Sequence, residues 1–100
     1  MKRTNTKPKK IFVSTGIIEK MEEPGAKEYL TLCLLLSMAG KYGTASAEEK
    51  AANKKELAAG SGHIIARYKN NGMFKSDICI KAYFDYIQYT YIYIGYPEEL

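Results

Sequence analysis

His63 is the single histidine of the chain, and any acid–base chemistry would have to begin with it. General acid–base and nucleophilic catalysis need such a group beside a partner that holds or activates it. No Ser-His-Asp, Cys-His or paired-carboxylate spacing surrounds His63, which follows Gly62 at the start of a predicted helix. No catalytic residue is therefore assigned, and neither enzyme activity nor a small-molecule substrate is expected. A zinc site would have to gather Cys33, Cys79 and His63 from three separate segments, without the paired spacings such sites use. No metal and no cofactor is expected. The two cysteines stand outside any motif and read as small buried hydrophobes in a reducing compartment.

Two further patterns bear on chemistry. Gly60-Ser61-Gly62, if it opened a helix at His63, would aim free backbone N–H groups at an anion. It lacks the spacing of a nucleotide loop and the strand before it, so a bend where helices pack is preferred. Glu56, Leu57, Ala58 and Gly62, followed by Ile65 and Arg67, resemble a helix-turn-helix over about fifteen residues. The resemblance implies a DNA-reading helix with Arg67 and Lys69 facing phosphates. The departure is that Ile65 comes only three residues after Gly62, which shortens that helix by about a turn.

The charge layout is more informative. Lys2, Arg3, Lys7, Lys9 and Lys10 place five positive charges in the first ten residues, whereas the formal net charge of the whole chain is +4. The remaining ninety residues carry ten basic and eleven acidic groups, so the excess lies in this segment. With Pro8 and no apolar residue after Met1, residues 1–10 read as a flexible basic arm. Such arms meet nucleic-acid phosphates or other polyanions by releasing counterions. Binding of nucleic acid or a nucleoprotein through Lys2, Arg3, Lys7, Lys9 and Lys10, with Arg67 and Lys69 in support, is the leading expectation. No aromatic residue is interleaved with these lysines, so the arm offers charge without base stacking.

The elements that must position these groups follow from periodicity. Six of the nine tyrosines fall between Tyr83 and Tyr96. On a helix, Ile80, Phe84, Ile87, Tyr91 and Ile94 lie within about 40° of one line. Tyr86, Tyr89, Tyr93 and Tyr96 form a second stripe on the opposite side. That stripe predicts a protein interface, because tyrosine supplies contact area at low entropic cost. It carries the alternative function: a protein–protein adaptor or inhibitor of the kind found among phage and mobile-element products, or a homodimer. A strand also fits this stretch, since Ile87, Tyr89, Tyr91 and Tyr93 alternate with Gln88, Thr90, Ile92 and Ile94. The register that continues from a helical start at Ser76 favours the helix.

Elsewhere, Ile11, Phe12 and Val13 are prone to extension, and Ile17 to Glu23 forms a short helix that Pro24-Gly25 ends. From Ala26 to about Tyr42 the run is apolar all round, which predicts the buried centre of the domain. Thr44 or Ser46 caps a third, surface helix through AEEKAANKKEL, with Glu48 and Glu49 in its first turn. The predicted fold is all-α, a single helical domain over residues 11–100 built as a bundle of three to four helices behind the arm. The apolar run Tyr29–Gly40 is shorter than the roughly 20 residues a bilayer span takes. IFVSTGII is a poor secretory core, so a soluble, cytoplasmic protein is expected, without a membrane partner.

Overall fold

Along Ser61–Tyr68 the side chains of Ile64, Ala66 and Tyr68 are buried while their neighbours are partly exposed, the alternation of a strand. The computed structural model describes residues 10–70, 72–86 and 88–100. In chain order these form β1 (Lys10–Val13), α1 (Thr15–Ile18), α2 (Ala26–Met38), α3 (Ala47–Ala59), β2 (Ser61–Tyr68), β3 (Ile78–Asp85) and β4 (Gln88–Gly95). A 3-10 turn, Pro97–Glu99, follows. The strands make one sheet in the order β1-β4-β3-β2, with β1 parallel to β4 and the other pairs antiparallel. The protein is therefore a mixed α/β fold, and the all-α bundle expected from sequence is wrong. Residues 1–9 of the basic arm lie outside the described residues, and Lys10 begins β1.

The helix expected from Ser76 to Pro97 is a β-hairpin. Ile78, Ile80, Ala82 and Phe84 of β3 point to one face, as do Ile92 and Ile94 of β4. Between Ala82 and Phe84 the register shifts: Ala82 pairs with Ile92, but Phe84 pairs with Tyr89. One extra residue of β4 is accommodated there as a bulge. The helix expected from His63 to Asn70 is likewise strand β2, so the helix-turn-helix resemblance has no counterpart.

The apolar run that looked like the domain's centre is an outer layer instead. Ala26, Leu30, Cys33 and Ser37, spaced four, three and four residues apart, are the buried face of α2. Leu32 and Leu35 on its far side are 51% and 59% exposed. The core lies between α2 and the sheet, where Leu30, Cys33 and Ile17 meet the inner residues of β2, β3 and β4. With the aliphatic residues of the strands spent on this side, their alternate positions face outward. Among the described residues, no helix is long and apolar enough to cross a membrane.

The third helix matches its expectation closely. Ser46 caps α3, accepting from the Glu49 N–H (3.0 Å), while the Glu49 carboxylate accepts from the Ser46 N–H (3.0 Å). What was not expected is its position, alongside the edge strand β2.

Candidate functional site

The outward face of the sheet carries a row of rings that crosses all four strands. His63 on β2 lies 5.1 Å from Tyr83 on β3, measured between ring centroids. Tyr83 meets Tyr93 on β4 edge-on at 5.9 Å, and Tyr93 stacks on Phe12 of β1 at 4.9 Å with planes 11° apart. Tyr91 flanks Phe12 at 6.2 Å. These separations follow from strand spacing, since adjacent strands lie about 4.8 Å apart and side chains in register stand side by side. Phe12 pairs with Tyr93 in the β1–β4 register, and His63 pairs with Tyr83 in the β2–β3 register. Phe12, Tyr83 and Tyr91 remain exposed, although isolated core logic would hide them.

Cations accompany the rings. The Lys10 Nζ sits 5.6 Å above the Phe12 ring, within the range of a cation–π contact. Lys81 stands beside Tyr93 in the β3–β4 register. The 3-10 turn folds back so that Leu100 packs against Gly95, and a hollow of about 270 Å³ forms between Lys81, Tyr83, Tyr93, Glu99 and Leu100. The face is thus not uniformly basic, because Glu99 and Asp85 border it. Its chemical capacity is to stack planar rings and to offer ammonium groups beside them.

The β2 side of this face is closed by α3. Asn53 donates from Nδ2 to the Ile65 carbonyl (2.8 Å), and its Oδ1 accepts from the Ile65 N–H (2.9 Å). The Glu56 carboxylate accepts from the His63 N–H (3.0 Å). At Arg67, the N–H donates to the Tyr42 carbonyl (3.1 Å) and the C=O accepts from the Thr44 N–H (2.7 Å). Glu49, Asn53 and Glu56 share one face of α3 and serve alternate strand residues, 67, 65 and 63. Two close approaches require glycine. A Cβ at Gly62 (φ +133°) would lie 2.0 Å from a Glu56 carboxylate oxygen, and one at Gly43 (φ +65°) would lie 2.0 Å from the Arg67 carbonyl.

The sequence-expected site residues scatter over this frame. Lys2, Arg3, Lys7 and Lys9 lie outside the described residues, whereas Lys10 joins the ring row. Arg67 is engaged by Glu49, with Nε and Nη2 both donating to the carboxylate at 2.8 to 3.1 Å. Those bonds, with the Ser46 N–H, hold the Glu49 carboxyl at about 2, below its ordinary range. Lys69 is exposed beyond the end of β2, and its carbonyl accepts from the Tyr29 hydroxyl. Gly60-Ser61-Gly62 opens a strand, and the anion next to His63 is the protein's own Glu56.

The four tyrosines of the expected interface do not share a face. Tyr86 is at the hairpin tip, 79% exposed, and Tyr89 packs on the core side against Phe84 at 6.1 Å. Tyr93 is in the ring row. Tyr96 is fully buried, its hydroxyl accepting from the Lys75 N–H (3.3 Å). A stripe at helical spacing disperses once successive residues alternate faces and a turn intervenes. Sequence reasoning missed Phe12, His63, Lys81, Tyr83 and Tyr91; the period-two reading of the tyrosine stretch would have recovered Tyr91 alongside Tyr93. Cys33 and Cys79 are free thiols, both buried. Burial pushes the Cys33 thiol up to about 11. Among the described residues no group of three or more His, Cys, Asp or Glu is placed to hold a metal ion.

Comparison of the chain with protein-family models, with curated proteins and with solved structures yields no match.

Proposed function

We propose that the protein binds single-stranded nucleic acid across the outward face of its sheet, with the basic arm engaging the phosphates. The observation that carries this reading is the row His63–Tyr83–Tyr93–Phe12, which spans four strands and ends under the Lys10 ammonium. Exposed rings on a sheet are the usual platform for unstacked bases, because every base has a π-face to offer. Duplex offers the face little, since its bases are already stacked on one another. Phosphates would be met by Lys10, Lys81 and the arm residues Lys2, Arg3, Lys7 and Lys9. Arg67 is reassigned from phosphate contact to the ion pair with Glu49 that fixes α3 on β2. Two free, buried thiols suit a reducing, cytoplasmic compartment.

Fluorescence anisotropy with labelled single-stranded DNA, single-stranded RNA and duplex tests the reading. Single strands should bind more tightly than duplex. Tyr93→Ala and Phe12→Ala should each weaken single-strand binding roughly 5- to 100-fold, the range for losing one base–aromatic stack. Absence of binding at about 50 mM salt, or ring substitutions without effect, would overturn it.

A further inference from the structure

Stacking alone does not tell one base from another, so a sequence preference on this face must come from polar groups at a base edge. At one end of the ring row Lys10 offers a donor over Phe12, and at the other the Glu56 carboxylate is engaged by the His63 N–H. The hollow between Lys81, Tyr83, Tyr93, Glu99 and Leu100 differs from both ends. There an ammonium and a carboxylate line the same space as two rings.

The chain around the hollow fixes its walls. Lys81 is the register partner of Tyr93, so its side chain and the Tyr93 ring share the outward face. Phe12 stacks on one face of Tyr93, and Tyr83 stands nearly at right angles to it, with 80° between planes. Gly95 brings no side chain to the next outward position of β4, and the terminal turn folds back over it. A Cβ there would lie 3.1 Å from Leu100 Cδ2. The turn is anchored at Tyr96, which is fully buried and whose hydroxyl accepts from the Lys75 N–H. With 3.0 residues per turn in a 3-10 helix, Glu98 and Glu99 point about 120° apart. Glu98 pairs with the Lys75 ammonium (3.1 Å), while the Glu99 Oε1 accepts from the Tyr96 N–H (3.2 Å). Among the described residues, neither the Lys81 ammonium nor the Glu99 Oε2 has a hydrogen-bond or ion-pair partner.

At about 270 Å³ the hollow has room for a single base. Its polar atoms call for a ring that presents acceptors to an ammonium and donors to a carboxylate. Guanine does both in pairs: O6 and N7 are neighbouring acceptors, and N1–H and N2–H are neighbouring donors. Adenine, cytosine and thymine each have one donor group on those edges. We propose that the hollow seats one unstacked guanine on the Tyr93 ring. The Lys81 ammonium donates to O6 and N7, and the Glu99 carboxylate accepts from N1–H and N2–H. The third N–H of Lys81 stays available to a phosphate. This base preference rests on the single-strand reading above.

The test titrates the full chain with labelled short thymine strands carrying one central guanine, adenine or inosine, read by fluorescence anisotropy. The guanine strand should bind about 5- to 100-fold more tightly than the adenine strand, the discrimination of one good bidentate contact. Inosine, which is guanosine without the N2 amino group, should lose most of that advantage. Glu99→Gln keeps an oxygen for the Tyr96 N–H but sets a donor where the carboxylate accepted, so it should erase the difference between guanine and inosine. A turn that was merely loosened would weaken all strands and leave that difference in place. Equal binding of guanine and adenine strands overturns the proposal and leaves sequence-tolerant stacking standing. A guanine preference that inosine retains, or that Glu99→Gln leaves whole, also overturns it and assigns the preference to another contact. If no strand binds, with or without guanine, the single-strand reading falls and this preference with it. Should Glu99→Gln fail to fold, the inosine comparison on the wild-type chain decides alone.

Discussion

Asn53 is 2% exposed inside a helix that is otherwise charged and solvated, and both ends of its amide are used on Ile65. A helix side chain thereby takes the place of a fifth strand at the β2 margin. Replacing it with alanine strands a partly buried N–H and a partly buried C=O at once, and each orphaned group costs about 1–3 kcal/mol. Asn53→Ala should therefore lower stability by about 2–3 kcal/mol, seen in urea as a lower midpoint with an unchanged slope. A loss under about 0.5 kcal/mol would mean that water replaces the amide without penalty. Nothing in AEEKAANKKEL singles out this asparagine from its neighbours. Its role depends on a strand lying beside the helix, and that strand was itself read as helix. The cap on the same helix was legible, because Ser46 and Glu49 need only each other.

Elements were readable where one local interaction decides them. β1, the start of α2 and α3 all emerged near their expected places, from an extension-prone triplet, a Pro-Gly break and a capping pair. The hairpin β3–β4 did not, for two physical reasons. Both of its faces carry large apolar or aromatic groups, one for the core and one for the ring row, so the polar–apolar alternation that marks a strand is missing. The bulge between Ala82 and Phe84 then shifts the inward positions of β4 from Tyr89 to Ile92, a three-residue step that imitates helical spacing. The turn gives no help either, because Tyr86 occupies it with φ +57° where glycine or asparagine is usual. Tyrosine in this left-handed region costs roughly 1–2 kcal/mol, which asparagine largely avoids. Among the described residues its ring is the most exposed of the large hydrophobic side chains, so little packing is lost by replacing it. Tyr86→Asn should raise stability by about 0.5–1 kcal/mol and the melting temperature by a few degrees, measured by circular dichroism. A lower melting temperature would show that the Tyr86 ring contributes more through its contact with Gly60 than its backbone costs.

At the scale of the whole molecule, charge and stacking capacity occupy different parts of the chain. Residues 10–100 carry eleven basic and eleven acidic groups, so Lys2, Arg3, Lys7 and Lys9 account for the entire net charge of +4. This segregation was legible without a fold, because it is composition along a line. The ring row was not, because its members come from four strands and meet only in the final register. The proposed function joins the two, and salt separates their contributions. For single strands the logarithm of affinity falls by about 0.7 per neutralised phosphate for each tenfold rise in salt. Deleting residues 1–9 removes four cations and should reduce that slope by up to about 3, with a large loss of affinity at low salt and a small one at high salt. Tyr93→Ala removes a stack and no charge, so it should lower affinity by a similar factor at every salt concentration and leave the slope unchanged. Titrations of a labelled single strand across a salt series, with the deletion, the substitution and both together, give the four slopes needed. An unchanged slope on deletion would remove the arm from the interface. A slope that falls with Tyr93→Ala would mean that the ring acts by holding a cation in place, and that the face reads charge and not bases.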